Sequence, residues 1–220
     1  GAFQDDDDGI ASGSAYIFRR IGANTWDPGA KIIASDAAAF DRFGYSVSIN
    51  GDYAIIGAYQ DDDNGTDSGS AYIFRRTGTN AWDAGTKVTA SDGAGWDRFG
   101  YSVSISNDYA IVGAYGDDDN GALSGSAYVF RRTGTNAWDA ATKITAADGA
   151  VEDFFGYSVS IYDDDAIVGA YGDDDNGALS GSAYIFRRTG TNAWDAGTKI
   201  TASDGSTWHE LGYSVSIGGD

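Results

Sequence analysis

The chain repeats itself every 56 residues. Phe43, Phe99, Phe155 and Leu211 open the same phrase, each 56 positions after the last. A period of this size marks one supersecondary unit copied in tandem, whose copies bury their apolar faces against one another. The fullest version runs from Phe99 to Tyr115 as Phe-Gly-Tyr-Ser-Val-Ser-Ile-Ser-Asn-Asp-Tyr-Ala-Ile-Val-Gly-Ala-Tyr, followed by Gly-Asp-Asp-Asp-Asn-Gly121. The copies are almost identical: Ser68 to Gly93 and Ser180 to Gly205 differ only at Val88 against Ile200. Such likeness points to recent duplication or design, and it invites pairing with the wrong neighbour during folding.

Each unit reads as four short strands. In the first, Tyr101, Val103 and Ile105 alternate with serines. The second and third, such as Tyr109–Val112 and Ala127–Phe130, are almost continuously apolar, so both of their faces must be covered. Glycines and Asn-Gly pairs recur every few residues and leave no helical period. With 30 aromatic residues, 32 glycines and one proline, the composition favours strands and turns. The expected fold class is all-β: a β-propeller of four 56-residue repeats, each a four-stranded antiparallel blade, in one domain spanning residues 1–220. The chain opens mid-pattern, as a processed fragment would, with Gly1-Ala2-Phe3 matching Gly57-Ala58-Tyr59. Four periods exceed the 220 residues by four. The closing blade would then take its first strand from the C-terminus and the rest from the N-terminus, a strand exchange that latches the ring. A four-bladed ring, half of an eight-bladed dimer and a piece of a longer array all satisfy the count.

Charge narrows the partners. Acidic residues outnumber basic ones 33 to 14, for a net charge of −19. A phosphate-binding surface needs clustered Lys and Arg, so nucleic acid and anionic membranes are disfavoured, and cations or cationic partners favoured. There is no cysteine, hence no disulfide, thiolate metal site or cysteine nucleophile. No apolar run is long enough to insert in a membrane as a helix.

Phe99-Gly100 at the start of the first strand and Gly113-Ala114-Tyr115 at the end of the second resemble the FG-GAP repeat of integrin α-subunit propellers and bacterial surface proteins, with Tyr115 in place of proline. Four such matches in phase cover essentially the whole chain. The nearest likeness is to the bacterial subgroup with Gly-Asp-Asp-Asp-Asn-Gly and Ser-Gly-Ser-Ala-Tyr-Ile-Phe. The resemblance implies a non-enzymatic, extracellular or cell-surface module for adhesion or for binding a protein or glycan. Two departures stand out. Integrin repeats carry Ca2+ between strands one and two, where this chain has only Ser106-Asn107-Asp108, too short for a cage. Family rings usually have seven blades, against four repeats here.

The candidate cation sites are the acidic loops between strands two and three. They comprise Asp6 and Asp8; Asp61, Asp62, Asp63 and Asn64; Asp117, Asp118, Asp119 and Asn120; and Asp173, Asp174, Asp175 and Asn176. Hard cations take several loop oxygens around a glycine turn, so Ca2+ is the expected cofactor. Placing Gly177 sixth in an EF-type register sets Asp174 third, Asn176 fifth and Ser180 ninth, but leaves Gly172 first, without a ligand. The other reading is a set of solvated turns that keep a glycine-rich surface soluble. Phe40, Trp96 and Trp208, in the loop after strand four, share that face and are the candidate ligand-face aromatics. The opposite face collects the Arg pairs, from Arg19-Arg20 to Arg187-Arg188, and the Trp-Asp loops at Trp26, Trp82, Trp138 and Trp194. The arginines read as edge protection paired with Asp27 and its equivalents, and the tryptophans as packed under their own loops. If that face is comparatively basic, rings could stack head to tail. His209, the one histidine, occurs in one repeat only, and no Ser-His-Asp set recurs. Three functions follow in order: a binding or adhesion module, with Ca2+ in its acidic loops; a self-assembling structural protein of filaments or surface layers; and a propeller hydrolase.

Overall fold

The computed structural model describes residues 1–219, and every regular element among them is a β-strand. Three full blades follow one another. The first holds Val47–Asn50, Tyr53–Ala58, Ser70–Gly78 and Thr86–Val88; the second Ser102–Ser106, Tyr109–Ala114, Ser126–Gly134 and Thr142–Ile144; the third Ser158–Tyr162, Asp165–Ala170, Ser182–Gly190 and Thr198–Ile200. Within each blade the strands pair antiparallel in chain order, so that Val103 faces Val112, Ile111 faces Val129 and Ala127 faces Ile144. A smaller N-terminal unit pairs Ala15–Ile17 with Ala30–Ile32 and adds a bridge from Ala2 to Ser14.

The blades carry one element beyond the expected four. The third strand is nine residues long, and only its apolar half lies between two neighbours. Its Arg-Arg-Thr-Gly half runs on, and the chain folds back on it as the two-residue strand Ala81–Trp82, with a bulge between Arg76 and Gly78. Ala137–Trp138 and Ala193–Trp194 do the same.

The hydrophobic core lies between the blades. One cluster joins Tyr53, Ile55 and Ile73 of the first blade to Val103, Ile105, Val112 and Phe130 of the second; an equivalent cluster joins the second blade to the third. Each fully buried Ile or Val in such a seam contributes about 1.5–3 kcal/mol. Covering decides exposure at otherwise identical positions. Val103 and Ile105 are 8% and 4% exposed under the preceding blade, whereas Val47 and Ile49, beside the smaller N-terminal unit, are 50% and 55% exposed.

The two glycines of each repeat bring neighbouring blades together at the inner strands. Gly100 N–H donates to the Gly113 carbonyl at 3.0 Å within the second blade. Gly113 in turn lies against the Gly156 carbonyl of the third, so close that a Cβ there would sit 1.9 Å from that oxygen. Ser102 Oγ donates to the same carbonyl at 2.8 Å. The phenylalanine before each glycine is fully buried, edge-on to the Tyr and Phe of its own third strand: Phe99 lies 5.4 Å from Tyr128 and 6.1 Å from Phe130.

The terminal strand exchange expected from the count is not formed among the described residues. Leu211 bridges Gly181 in the usual way, and Ile217 N–H donates to Ser160 Oγ at 3.2 Å. Tyr213–Ile217 therefore follows the first strand of the third blade, but no bridge joins it to the N-terminal unit. The hydroxyls of Tyr45, Tyr101, Tyr157 and Tyr213 form a row at 3.0–3.2 Å spacing, with no return contact from Tyr213 to Tyr45. The N-terminal unit and the three full blades thus make four antiparallel sheets, one per repeat, as the four blades of a β-propeller.

Candidate functional site

One face of the propeller carries both groups of candidate residues. The loop after strand four lies along the acidic loop of its own blade: Trp96 N–H donates to the Thr66 carbonyl at 2.7 Å and Arg98 N–H to that of Asp67 at 3.1 Å. Phe40 is tied to Ile10 in the same way, Glu152 to Ala122 and Trp208 to Ala178.

The acidic loops do not use their residues as the EF-type register requires. Ser180, the ninth position of that register, turns inward: its hydroxyl donates to the Asp173 carbonyl at 3.1 Å and accepts from Asn176 N–H at 3.2 Å. The second aspartate of two loops caps backbone: Asp6 accepts from Ala11 N–H and Asp62 from Asp67 N–H, both at 2.7 Å. Asp8, Asp118 and Asp174 are exposed, as are the side-chain-bearing Asn64, Asn120 and Asn176. Only the first and third aspartates converge, and they do so with a partner absent from the sequence reading. Asp117 and Asp119 meet Asp92, from the loop after strand four of the preceding blade; Asp61 and Asp63 meet Asp36; Asp173 and Asp175 meet Asp148. In each trio, carboxylate oxygens lie within 4.8 Å of one another, a grouping that could hold a metal ion.

A lysine ammonium stands in the middle of each trio. Lys143 Nζ lies 2.8 Å from Asp92, 2.7 Å from Asp117 and 2.6 Å from Asp119. Lys87 and Lys199 repeat the arrangement, and Lys31 meets Asp5 and Asp7 in the N-terminal unit. The buried Tyr128 hydroxyl shares its one proton between Asp92, at 2.8 Å, and Asp117, at 2.9 Å. Burial alone would raise the Asp92 carboxyl, but the bonds from Lys143 and Tyr128 outweigh it and hold the group below the usual range. Burial would lower Lys143, and its three carboxylate partners instead push it up. Asp97, beside this network, has no cation of its own; burial pushes it up to about 6 despite a bond from Ala94 N–H. Asp41 and Asp153 behave alike. The sequence carried a signal for the missed partners: its four lysines, at positions 31, 87, 143 and 199, all fall at this one place in the period.

Toward the inner strands the same face is aromatic. A cavity of about 490 Å3 is lined by Trp96, Arg98, Tyr115, Phe154, Tyr157 and Tyr171 among others. Phe154 stacks on Tyr171 at 4.9 Å with rings 6° apart, and Arg98 lies 5.3 Å over the Tyr115 ring. Phe40, Trp96 and Trp208 are 53%, 55% and 68% exposed, each at a left-handed φ of 67–75°. Bulky residues pay for that backbone, and strained exposed side chains cluster at binding surfaces. A larger groove of about 700 Å3 between the outer strands of the first two units is the wedge between blades.

On the opposite face six of the eight arginines of the Arg pairs lie against an aspartate. Arg75 and Arg131 approach Asp83 and Asp139, while Arg76, Arg132 and Arg188 pair with Asp52, Asp108 and Asp164 in the first hairpin turn of their own blade. The tryptophans there pack across blades, not under their own loops. Trp138 meets Tyr53 of the preceding blade at 6.1 Å, and Arg132 lies 4.6 Å over the same ring; Trp194, Arg188 and Tyr109 repeat this. Trp26 is 59% exposed. His209 accepts or donates one local bond, with Ser206 at 2.8 Å, on the surface.

A family model described as FG-GAP repeat matches residues 26–74, 82–130 and 138–186, in step with the structural period. A search of curated proteins found no match. No helix of the described residues is long and apolar enough to cross a membrane.

Proposed function

The chain belongs to the FG-GAP repeat family, and from that membership we propose that it is a non-enzymatic, extracellular or cell-surface module that binds a protein or glycan ligand. The observation that supports this is the aromatic cavity, with exposed Trp96 at its rim and Arg98 inside. Concave sites lined by aromatic side chains with a few fixed polar groups are where ligands bind. Aromatic faces take the apolar CH face of a sugar or an apolar side chain, and Tyr hydroxyls and Arg98 supply polar contacts. The acidic rim adds attraction for cationic ligands. Calcium has no part in this reading, since each carboxylate trio holds a lysine. Head-to-tail stacking has less charge behind it, because Arg76, Arg132 and Arg188 are paired on their own face.

The test is a panel of glycans and extracellular-matrix proteins on a surface, read by interferometry and by quenching of tryptophan fluorescence. The reading expects a binder whose affinity falls at least about tenfold in Trp96→Ala, the scale of one lost aromatic anchor. Equal binding by Trp96→Ala and wild type would refute it.

A further inference from the structure

The acidic trios are the place where a divalent cation would be expected, and the residues present do not fit one. Three carboxylates converge at each blade joint, yet the central position, within 2.6–2.8 Å of Asp92, Asp117 and Asp119, already holds the Lys143 ammonium. A Ca2+ ion would need that volume and would meet a like charge inside hydrogen-bond distance. We propose that Lys87, Lys143 and Lys199 are tethered replacements for structural metal ions, so that each of the three joints carries its own covalently attached cation.

Five observations support the assignment. Each trio spans a joint: Asp92 belongs to the loop leaving the first full blade, whereas Asp117, Asp119 and Lys143 belong to the second. The ammonium thus cross-links neighbours as a bridging ion would. Its stem is fixed, because Lys143 lies in the fourth strand opposite Tyr128 of the third. The Tyr128 ring lies 5.4 Å from the ammonium, and its hydroxyl bonds two of the same carboxylates. The one further lysine, Lys31, holds the same place in the period and meets Asp5 and Asp7 of its own unit. A point charge with three rotatable donors suits three convergent carboxylates, whereas the planar fork of arginine suits one. Arg76, Arg132 and Arg188 indeed pair with single aspartates on the other face.

The experiment compares thermal melting of wild type and Lys143→Gln in EDTA and in millimolar CaCl2, at matched ionic strength. Wild type is expected to melt within about 1 °C in the two buffers. Lys143→Gln removes the charge and keeps a polar side chain of similar reach. It leaves three carboxylates unneutralised and should melt lower in EDTA, then recover about 5 °C or more in Ca2+ at a hundredfold excess over its Kd. Tb3+ luminescence excited through Tyr128 should appear in the variant and be absent in wild type. A wild-type melt that rises by 5 °C or more in Ca2+ overturns the proposal, as does a variant that gains neither Ca2+ stabilisation nor Tb3+ luminescence. A variant that folds only with Ca2+ supports it, and one unfolded in both buffers counts against it.

Discussion

Replacing Gly113 with alanine should unseat the second blade from the third. The added Cβ would lie 1.9 Å from the Gly156 carbonyl oxygen and 2.3 Å from Ser102 Oγ, against about 3.4 Å for ordinary contact. Ser102 can rotate, but it then loses its 2.8 Å bond to Gly156, worth about 1 kcal/mol. Gly156 is backbone, already holding the Gly169 carbonyl at 3.0 Å, so the blade itself must move by more than 1 Å. Overpacking of this kind costs about 1–3 kcal/mol, and the parted seam loses contacts around Ile111 and Val168 as well. The total is about 3–5 kcal/mol, or a fall in Tm of roughly 6–20 °C for a chain of this size. Gly134→Ala is the control. Its Cβ would meet only the Ala137 methyl, at 3.6 Å, and should change stability by less than about 1 kcal/mol. Calorimetry of the two variants checks this. A Gly113→Ala protein melting within about 2 °C of wild type would mean that the glycine pair does not set the blade spacing.

Two more outcomes follow from the seams and the buried acids. Trp194→Ala removes the ring packed edge-on against Tyr109, the ring that Arg188 also covers, and should cost about 2–3 kcal/mol, while Trp26→Ala, at the same place in its repeat but exposed, should cost less than about 0.5; urea titration separates them. Asp41, Asp97 and Asp153 have folded pKa values of about 6 against 3.8 in the open chain, so they favour the fold below that ordinary value and lose this contribution as pH rises through 6. Asp36, Asp92 and Asp148 are held low and act oppositely, losing their contribution as pH falls below 3.8. Melting temperature should therefore rise by a few degrees from pH 7 to pH 5 and fall again under more acid conditions, with a shallower upper limb in Asp97→Asn; a steady decline from pH 7 downward would contradict the assignment.

Strands, turns and the two-sided burial of Tyr109–Ala114 were legible because they depend on local residue order and its alternation. The trios were not. Asp92 reaches Lys143 across 51 residues, and a 56-residue period says which positions are equivalent without saying which ones touch across a joint. The same blindness hid the partner of Trp138, which packs on Tyr53 of another blade. It also hid the pairing of Arg76, Arg132 and Arg188, since Asp52, Asp108 and Asp164 lie in hairpin turns whose distance from the Arg pairs only the sheet register sets. The short arm at Ala81–Trp82 was missed because two residues carry no period.

The tyrosine row along the inner strands has a consequence for growth. A phenol can give one proton and take another, so Tyr45, Tyr101, Tyr157 and Tyr213 can all point the same way like links in a chain. Such a line leaves one unused donor at one tip and one unused acceptor at the other, whatever its length. Inserting a further link creates no new unmet polar group, so the axis of this molecule is indifferent to copy number, and duplication can lengthen it without redesign.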